Sequence, residues 1–470
     1  MRFHKFVWLA IFILAINSEI NGQVIIKGNA PTYGGSEIVF KALADPITFS
    51  EVEIAKCKVS ANGDFSVTIK ITETTCVFSH LGIYKGFLFI EPGKSYEVTL
   101  PEKIDKSEAD KLNPFFEETE FQFAIKNMND GDLNFLILSF DDAYFPYLGK
   151  FGKNIYEKNT KAIFDSAMVA LKQINPGSSN QFFRNYVNYK IGNLKYLAFQ
   201  QKSKSISKEY FQNKPVLLNN PAYIELFGQL YGKYIFFLGR TSNGKKVFDD
   251  INKNKSYSKL CQTLKTDSIL LNDTLRELVI LKNIHDEFYS ANFSRSGLLQ
   301  ILDSLSFTTK IEKHKLFAQN IRNKITRLMP GFEPPAFELL NKDSSLIKLA
   351  DFKGKYVYLN FCACASYSCI KEFDVLKRIN EKYKDKLVII TVVADENRKS
   401  MIDFLKQADY SWPFLHYGNQ PDIMEKYDIR AFPTYFLIGP DGKLIFSPAV
   451  SPGENFEQYL FQVMKARKDI

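Results

Sequence analysis

The strongest constraint on the fold is a change of pattern within residues 356–379. Residues 356–361 form an apolar run typical of a short buried strand, and apolar side chains then recur at helical spacing over residues 370–379. Three cysteines lie where the two patterns meet: Cys362, Cys364 and Cys369. Backbone N–H groups and the helix dipole favour a thiolate at the start of a helix. The sequence therefore predicts a strand-to-helix turn that carries redox or nucleophilic sulfur.

The segments around this turn predict an α/β domain over residues 329–470. Proline and glycine are dense in residues 329–335, which marks a boundary. Residues 387–393 are a continuous, mostly β-branched apolar run, as a central parallel strand requires. Further strand and helix patterns follow in an order that predicts a mixed sheet with helices on both faces.

The preceding region, residues 23–103, shows the period-two alternation of half-buried strands, most clearly over residues 65–71. Short strands separated by turns at this spacing predict an antiparallel β-sandwich. Cys57 and Cys76 lie in this region. An oxidising compartment favours a structural disulfide between them, and two separate buried thiols remain the alternative.

The middle region, residues 104–328, changes to a helical period and predicts an all-α unit. In one of its clearest helices, Asn272 is a candidate N-cap ahead of an apolar face that begins at Leu275. His285 and His314 lie in this region without metal-ligand spacing. The region offers no chemistry of its own, and we expect it to act as a spacer or as a binding surface.

The N-terminus predicts export. Residues 1–5 are basic, residues 6–16 are an apolar run too short for a stable membrane anchor, and residues 17–22 are polar. We expect residues 1–22 to be removed as a signal peptide, which leaves no transmembrane anchor. The mature protein is then expected in the periplasm or cell envelope, where disulfides persist.

The charge pattern argues against a nucleic-acid partner. The net charge of +9 is dispersed, because acidic and polar residues interrupt the lysine clusters. No stretch has the interleaved basic and aromatic residues that indicate nucleic-acid binding. We expect no nucleic-acid partner, no metal and no bound cofactor.

Six short segments of the C-terminal domain share the order and spacing of a known family. They are Pro335-Ala-Phe, Asp351-Phe-Lys-Gly-Lys, Leu359-Asn-Phe, Cys369-Ile-Lys-Glu, Ile429-Arg-Ala-Phe-Pro-Thr and Pro440-Asp-Gly-Lys. With them the domain resembles the thioredoxin superfamily, and within it the exported TlpA/ResA-like thiol–disulfide oxidoreductases and the related redoxins of the AhpC/TSA type. The order of strand domain, helical region and thioredoxin-like domain is similar to that of multidomain envelope proteins of the Bacteroidota. The resemblance implies a thioredoxin fold, with protein or peptide thiols and disulfides of the envelope as partners.

The active-site segment departs from the pattern of that family, which is Asn-Phe-Trp-Ala-Ser-Trp-Cys-Gly-Pro-Cys. Counted from Asn360, the two tryptophans, the first cysteine and the Gly-Pro pair of the family correspond here to Cys362, Ala365, Ser366 and Tyr367-Ser368. The second cysteine is kept as Cys369. A serine hydroxyl stays protonated near neutral pH and forms no disulfide, so the ordinary dithiol cycle cannot be completed.

Three interpretations of this segment stay open. In the first, Cys364 attacks in place of the missing thiol and pairs with Cys369, since its position allows a Cα separation within about 7 Å. In the second, catalysis is lost and the fold serves binding or scaffolding. In the third, Cys369 is a lone thiol, or the three cysteines hold a soft metal such as Cu(I), for which the nearby His416 has no marked context. Cys362 by itself is most simply a small buried residue.

Two further site residues follow from the resemblance. Phe432-Pro433-Thr434 matches the loop that holds the cis-proline of the family, which implies a cis bond before Pro433 and a groove for an extended substrate peptide. Glu372 matches a family glutamate that tunes or transfers protons near the second cysteine, and a plain solvent-facing role is the alternative. We therefore predict an exported thiol–disulfide oxidoreductase that uses Cys364 and Cys369, with a catalytically inactive envelope binding or scaffold protein as the alternative.

Overall fold

The computed structural model describes residues 22–113, 116–126, 128–154, 160–198, 201–395 and 397–470. The predicted signal segment, residues 1–22, lies outside these ranges except for Gly22. Within them, no helix combines the length and the apolarity needed to cross a bilayer.

The strands of the described residues are β1 Gly22–Asn29, β2 Glu37–Leu43, β3 Glu51–Lys58, β4 Asp64–Ile71, β5 Thr75–Leu81, β6 Tyr84–Ile90, β7 Ser95–Thr99, β8 Thr119–Gln122, β9 Ala124–Ile125, β10 Glu338–Asn341, β11 Leu346–Lys348, β12 Tyr356–Cys362, β13 Leu387–Val393, β14 Phe414–His416, β15 Thr434–Ile438 and β16 Leu444–Ala449.

The α-helices are α1 Glu108–Leu112, α2 Leu133–Asn154, α3 Thr160–Leu171, α4 Gln181–Leu197, α5 Ser203–Tyr210, α6 Pro221–Tyr231, α7 Tyr234–Gly239, α8 Val247–Asn252, α9 Tyr257–Leu264, α10 Asp273–Glu287, α11 Arg295–Thr308, α12 Glu312–Thr326, α13 Tyr367–Tyr383, α14 Arg398–Gln407, α15 Ile423–Lys426 and α16 Phe456–Arg467. Short 3-10 turns lie at Pro31–Tyr33, Ser268–Leu271, Leu349–Phe352 and Tyr417–Asn419.

The N-terminal strands form two sheets, in the orders β4-β1-β7-β9 and β3-β2-β5-β6-β8, which share one apolar core. The alternation predicted along β4 is present, since Phe65, Val67 and Ile69 are buried and their neighbours are exposed. Most pairs are antiparallel, and β1–β7 and β6–β8 are parallel. Because β8 and β9 add an edge strand to each sheet, the sheets reach residue 125 rather than the predicted limit of 103.

The disulfide predicted between Cys57 and Cys76 is not formed, and both residues are free thiols. Cys57 lies in β3 and Cys76 in β5, with β2 between these strands. Two strand spacings amount to about 10 Å, which exceeds the reach of a disulfide. The two residues also pack against different cores, Cys57 against that of the sheets and Cys76 against that of the helices.

The helical region packs around one large apolar core. The predicted cap is confirmed: the side chain of Asn272 accepts the Leu275 N–H at the start of α10, and Leu275 is buried. Ile47 and Phe89 of the sheet domain belong to the same core cluster. The two N-terminal units are therefore joined by shared apolar burial.

The C-terminal domain has one sheet, in the order β11-β10-β14-β13-β12-β15-β16. Strands β12, β13 and β14 are parallel to one another, and β15 is antiparallel to β12. Apolar clusters cover both faces, one with residues of α13, α14 and α16 and the other with residues of α15. This arrangement is the predicted mixed sheet with helices on both faces, and every residue of its interior strand β12 is buried.

Candidate active site

Side-chain alternation along β12 determines which cysteine faces α13. Tyr358 and Cys362 lie on the face covered by α13 and α16, whereas Phe361 lies on the opposite face. Cys362 ends β12, and Cys369 lies in the first turn of α13. The two cysteines form a disulfide with their Cα atoms 6.0 Å apart, a usual separation for such a bond.

This bond corrects the predicted pairing of Cys364 with Cys369. The structure joins Cys369 to Cys362 and leaves Cys364 as a free thiol. It also corrects the interpretation of Cys362 as a mere small buried residue. The physical reason is that Cys362 still belongs to β12, so the strand aims its side chain at the helix, whereas Cys364 lies in the turn that follows.

Asp395 holds Cys364 in place. The N–H of Cys364 donates to Oδ1 of Asp395 at 2.8 Å, and the thiol is hydrogen-bonded to the same carboxylate. Burial, and then the charge of Asp395, raise the pKa of the Cys364 thiol. Cys364 is thus a protonated, buried thiol next to a carboxylate.

His416 lies on the other side of Asp395 and acts as a structural support. Its Nε2 donates to the backbone oxygen of Asp395 at 2.9 Å, and its Nδ1 accepts the Gly418 N–H at 3.1 Å. Burial lowers the pKa of His416, and the bond to Asp395 offsets this only in part. The imidazole is therefore neutral, with both ring nitrogens engaged. Among the residues that the structure covers, no group of three or more His, Cys, Asp or Glu side chains has a metal-binding arrangement.

Ser366 takes the N-cap position of α13 with an extended backbone, and its hydroxyl makes no capping bond. Its N–H donates to the Ala363 carbonyl at 3.0 Å, which closes the turn between the strand and the helix. The next residue, Tyr367, is 79% exposed, and Ile370 is 40% exposed. The surface above the buried disulfide therefore presents an aromatic and an aliphatic side chain to a partner.

Glu372 points inward and is not a plain solvent-facing residue. The Tyr435 hydroxyl donates to its Oε2. Burial, and then the Glu372 carboxylate, raise the pKa of Tyr435, so the phenol stays protonated. Asn360, which pairs with Tyr435 in the sheet, is buried, and neither atom of its amide has a partner in the described part of the chain. A polar group of three side chains thus lies along the inner face of β12 and β15.

The predicted cis bond before Pro433 is confirmed. Thr434 is opposite Phe361 in the antiparallel pairing of β15 with β12. Continuing this register by one residue places Pro433 beside Cys362. The sheet therefore brings the cis-proline next to the disulfide, as the resemblance implies.

A wide cleft of about 1220 Å³ lies away from the cysteine-bearing turn. It is found where the sheet domain, the end of α12 and α15 meet. His80, Glu118, Lys324 and Glu425 are among its lining residues. None of the cysteines lines it. The cleft is therefore separate from the sulfur chemistry.

The C-terminal domain is similar in sequence to known proteins. A family model described as Redoxin matches residues 329–460. The thiol-disulfide oxidoreductase ResA of Bacillus cereus is 34% identical over 147 residues, which cover 31% of this chain and 84% of that protein. ResA of Bacillus thuringiensis subsp. konkukian is similar to the same extent. Among solved structures, the thioredoxin domain of a thiol-disulfide oxidoreductase from Bacteroides vulgatus is 24% identical, with a TM-score of 0.27, and the match covers 28% of this chain and 97% of that one.

Proposed function

Through residues 329–460 the chain belongs to the Redoxin family, related to the thiol–disulfide oxidoreductase ResA, and we propose that this domain exchanges thiols and disulfides through the couple Cys362–Cys369. The observation that carries the proposal is the disulfide between the end of β12 and the first turn of α13. The position of cis-Pro433 beside Cys362 supports it.

The position of each sulfur suggests its role in the exchange. A thiolate at Cys369 is stabilised by the N-terminus of α13, and a more stable thiolate is the better leaving group. A substrate thiolate therefore attacks Sγ of Cys362 and releases Cys369. The second thiol of the substrate then attacks the mixed disulfide, which leaves the substrate oxidised and both cysteines reduced. Because Cys362 and Cys369 are 0% exposed, the turn over residues 363–366 has to open before substrate can reach them.

The test is turnover of a small disulfide substrate by the full chain, combined with variants. We expect catalysed reduction in the presence of a dithiol, lost in Cys369→Ser and unchanged in Cys261→Ser, which removes a free thiol of the helical region. Equal rates for the chain, for Cys369→Ser and for the uncatalysed reaction would overturn the proposal.

A second candidate function is non-catalytic binding in the cell envelope, and complete burial of both bonded sulfurs favours it. Ser366→Cys separates the two candidates, because it restores a thiol at the exposed start of α13. If the unaltered chain is inactive and Ser366→Cys reduces a disulfide, the fold has lost only its nucleophile and the binding function is supported. Activity of the unaltered chain at or above that of the variant would exclude it.

We also infer export, with protein or peptide thiols of the envelope as substrates. The pattern of residues 1–22 supports this inference, as does a couple that can form a disulfide. Secretion of the full chain with removal of the first residues, observed by N-terminal sequencing, is the expected result. Retention in the cytoplasm at full length would contradict it.

A further inference from the structure

A free thiol lies inside the loop that the disulfide closes. Cys364 is 8% exposed and belongs to the same buried cluster as Cys362 and Cys369. A chain of two residues spans at most about 7 Å, so the Cα atoms of Cys362 and Cys364 lie within that distance. The Cα atom of Cys369 is 6.0 Å from that of Cys362. Because all three side chains belong to one buried cluster, movement of the turn over residues 363–366 can bring the third sulfur to the disulfide.

Asp395 gives this thiol a proton acceptor. Its carboxylate is hydrogen-bonded to both the N–H and the thiol of Cys364. The N–H of Ala394 donates to the Cys362 carbonyl at 2.8 Å, which holds Asp395 beside the end of β12. The carboxylate thus contacts Cys364, and the residue before it in the chain is bonded to the backbone of Cys362.

We propose that Cys364 is a third redox residue, which displaces Cys362 from Cys369 in an internal exchange with Asp395 as the base. The inference rests on the proposed function. Asp395 accepts the thiol proton as Sγ of Cys364 attacks Sγ of Cys369. The bond Cys364–Cys369 forms, the bond Cys362–Cys369 breaks, and the released Cys362 thiolate takes the proton from Asp395. The electrons stay within the three sulfurs, so no external oxidant is needed.

Attack on Cys369 is favoured over attack on Cys362 by chain geometry. A disulfide between residues only two apart would close a very small, strained ring. The exchange also moves the disulfide outward, because Cys364 is 8% exposed and Cys362 is 0% exposed. The product is a bond that substrate reaches with less opening of the turn.

The first test uses the variant Cys362→Ser in the full chain, oxidised with a cyclic disulfide reagent and digested at low pH without reductant. We expect peptides joined through Cys364–Cys369. Two free thiols in a folded variant, with folding checked by circular dichroism, would overturn the proposal.

The second test follows labelling of the unaltered chain by a small alkylating reagent, with fragment-ion sequencing to distinguish Cys362 from Cys364. Cys362 becomes free only after the exchange, so label on Cys362 is expected. Asp395→Asn keeps an oxygen acceptor for the Cys364 N–H but lacks the base, and we expect it to slow this labelling about 100-fold, the lower end of general-base effects. Labelling confined to Cys364 overturns the exchange. Labelling of Cys362 that is equally fast or faster in Asp395→Asn overturns the role of Asp395, because loss of its charge alone makes the thiol more acidic.

The two proposals fail in different ways. If Cys364→Ser reduces a small disulfide as fast as the unaltered chain does, the internal exchange is wrong and the couple Cys362–Cys369 stands. If neither protein shows turnover, the proposed function itself is wrong.

Discussion

Cysteine occupies two kinds of position in this protein, and they differ in what surrounds the sulfur. Cys362, Cys364 and Cys369 meet at one strand-to-helix turn next to a carboxylate. Cys76 lies within a strand, where burial raises the pKa of its thiol to about 12. Cys261 lies within α9, where burial also raises its thiol pKa. A second sulfur, brought close by the backbone, is therefore what separates a bonded cysteine from one that only packs.

The helical region contains a polar group around Glu277, which can be compared with the polar side chains at the strand-to-helix turn. Glu277 accepts hydrogen bonds from Tyr257 at 3.1 Å, from Thr309 at 2.6 Å and from Nδ1 of His314 at 2.9 Å. Burial alone would raise the pKa of Glu277, but these donors outweigh it and lower the pKa. The group tethers α9, α10 and α12, and no disulfide lies among its described neighbours. These bonds hold the three helices together.

The largest expected effect separates the two kinds of cysteine. Cys369→Ser should reduce turnover of a disulfide substrate by at least about 1000-fold, because Cys362 loses the thiol with which it forms the intramolecular disulfide. Cys76→Ser is the matched control, since it removes a half-buried, free thiol, and we expect its rate per folded molecule to be unchanged. A comparable loss of rate in both variants would show that the bonded and the packing cysteines do not differ in their effect on turnover.

The next effect is on stability and concerns the group around Glu277. His314→Ala should lower the free energy of unfolding by about 3 kcal/mol, because it leaves a largely buried carboxylate short of a donor and creates a cavity. Urea denaturation measures this, and turnover per folded molecule should not change. His285→Ala, on the partly exposed pair with Asp286, is the control and should cost much less. A loss of turnover without loss of stability would assign chemistry to the helical region.

A smaller, pH-dependent effect concerns Asp141 in α2. Burial raises the pKa of its carboxyl to about 6, although Lys190 and a hydrogen bond from Tyr186 act in the opposite direction. The unfolded chain therefore releases this proton at lower pH than the folded chain. Stability contributed by Asp141 is full below about pH 4 and falls as pH rises toward 6, by about 2 kcal/mol or less given its partial exposure.

Asp141→Asn should remove that pH dependence, as measured by urea denaturation at pH 4 and pH 7. Relative to the unaltered chain, the variant should gain stability on going to pH 7. Asp142→Asn, at the exposed neighbouring position, provides the control. The same pH dependence in the Asp141→Asn variant would show that other groups cause it.

The smallest effect concerns the surface over the disulfide. Tyr367→Ala removes the most exposed aromatic of the first turn of α13. It should raise KM for a protein disulfide a few-fold, the size expected from a partly buried contact of about 1 kcal/mol. For a small disulfide substrate, KM should not change. An equal effect on both substrates would indicate a role in shaping the turn rather than in contacting a partner.

Much of the C-terminal fold could be predicted from local pattern. The β-branched run of β13 and the helical spacing of α13 are strong signals, and both elements lie where they were expected. Strand β14 was missed, because a three-residue strand is too short to show a period. The strands β8 and β9 were missed for the same reason, which placed the limit of the sheet domain too early.

The sequence predicts where the candidate site lies, but not which two of its cysteines are bonded to each other. Comparison with the family pattern drew attention to Cys364 and Cys369 and treated Cys362 as a replaced tryptophan. The signal that could have corrected this is the alternation of β12, which puts Cys362 on the same face as Tyr358, toward α13. Nothing in the sequence singled out Asp395, because its role depends on two parallel strands ending side by side.

The most direct test of the central claim is a redox titration of the folded full chain against defined ratios of reduced and oxidised dithiothreitol. At each ratio the thiols are trapped with acid and their positions are mapped by peptide mass. We expect the bond to Cys369 to open and re-form reversibly as a two-electron couple, while Cys57, Cys76 and Cys261 stay reduced throughout. A bond to Cys369 that opens only when the chain is unfolded would show that the disulfide is structural and takes no part in thiol–disulfide exchange.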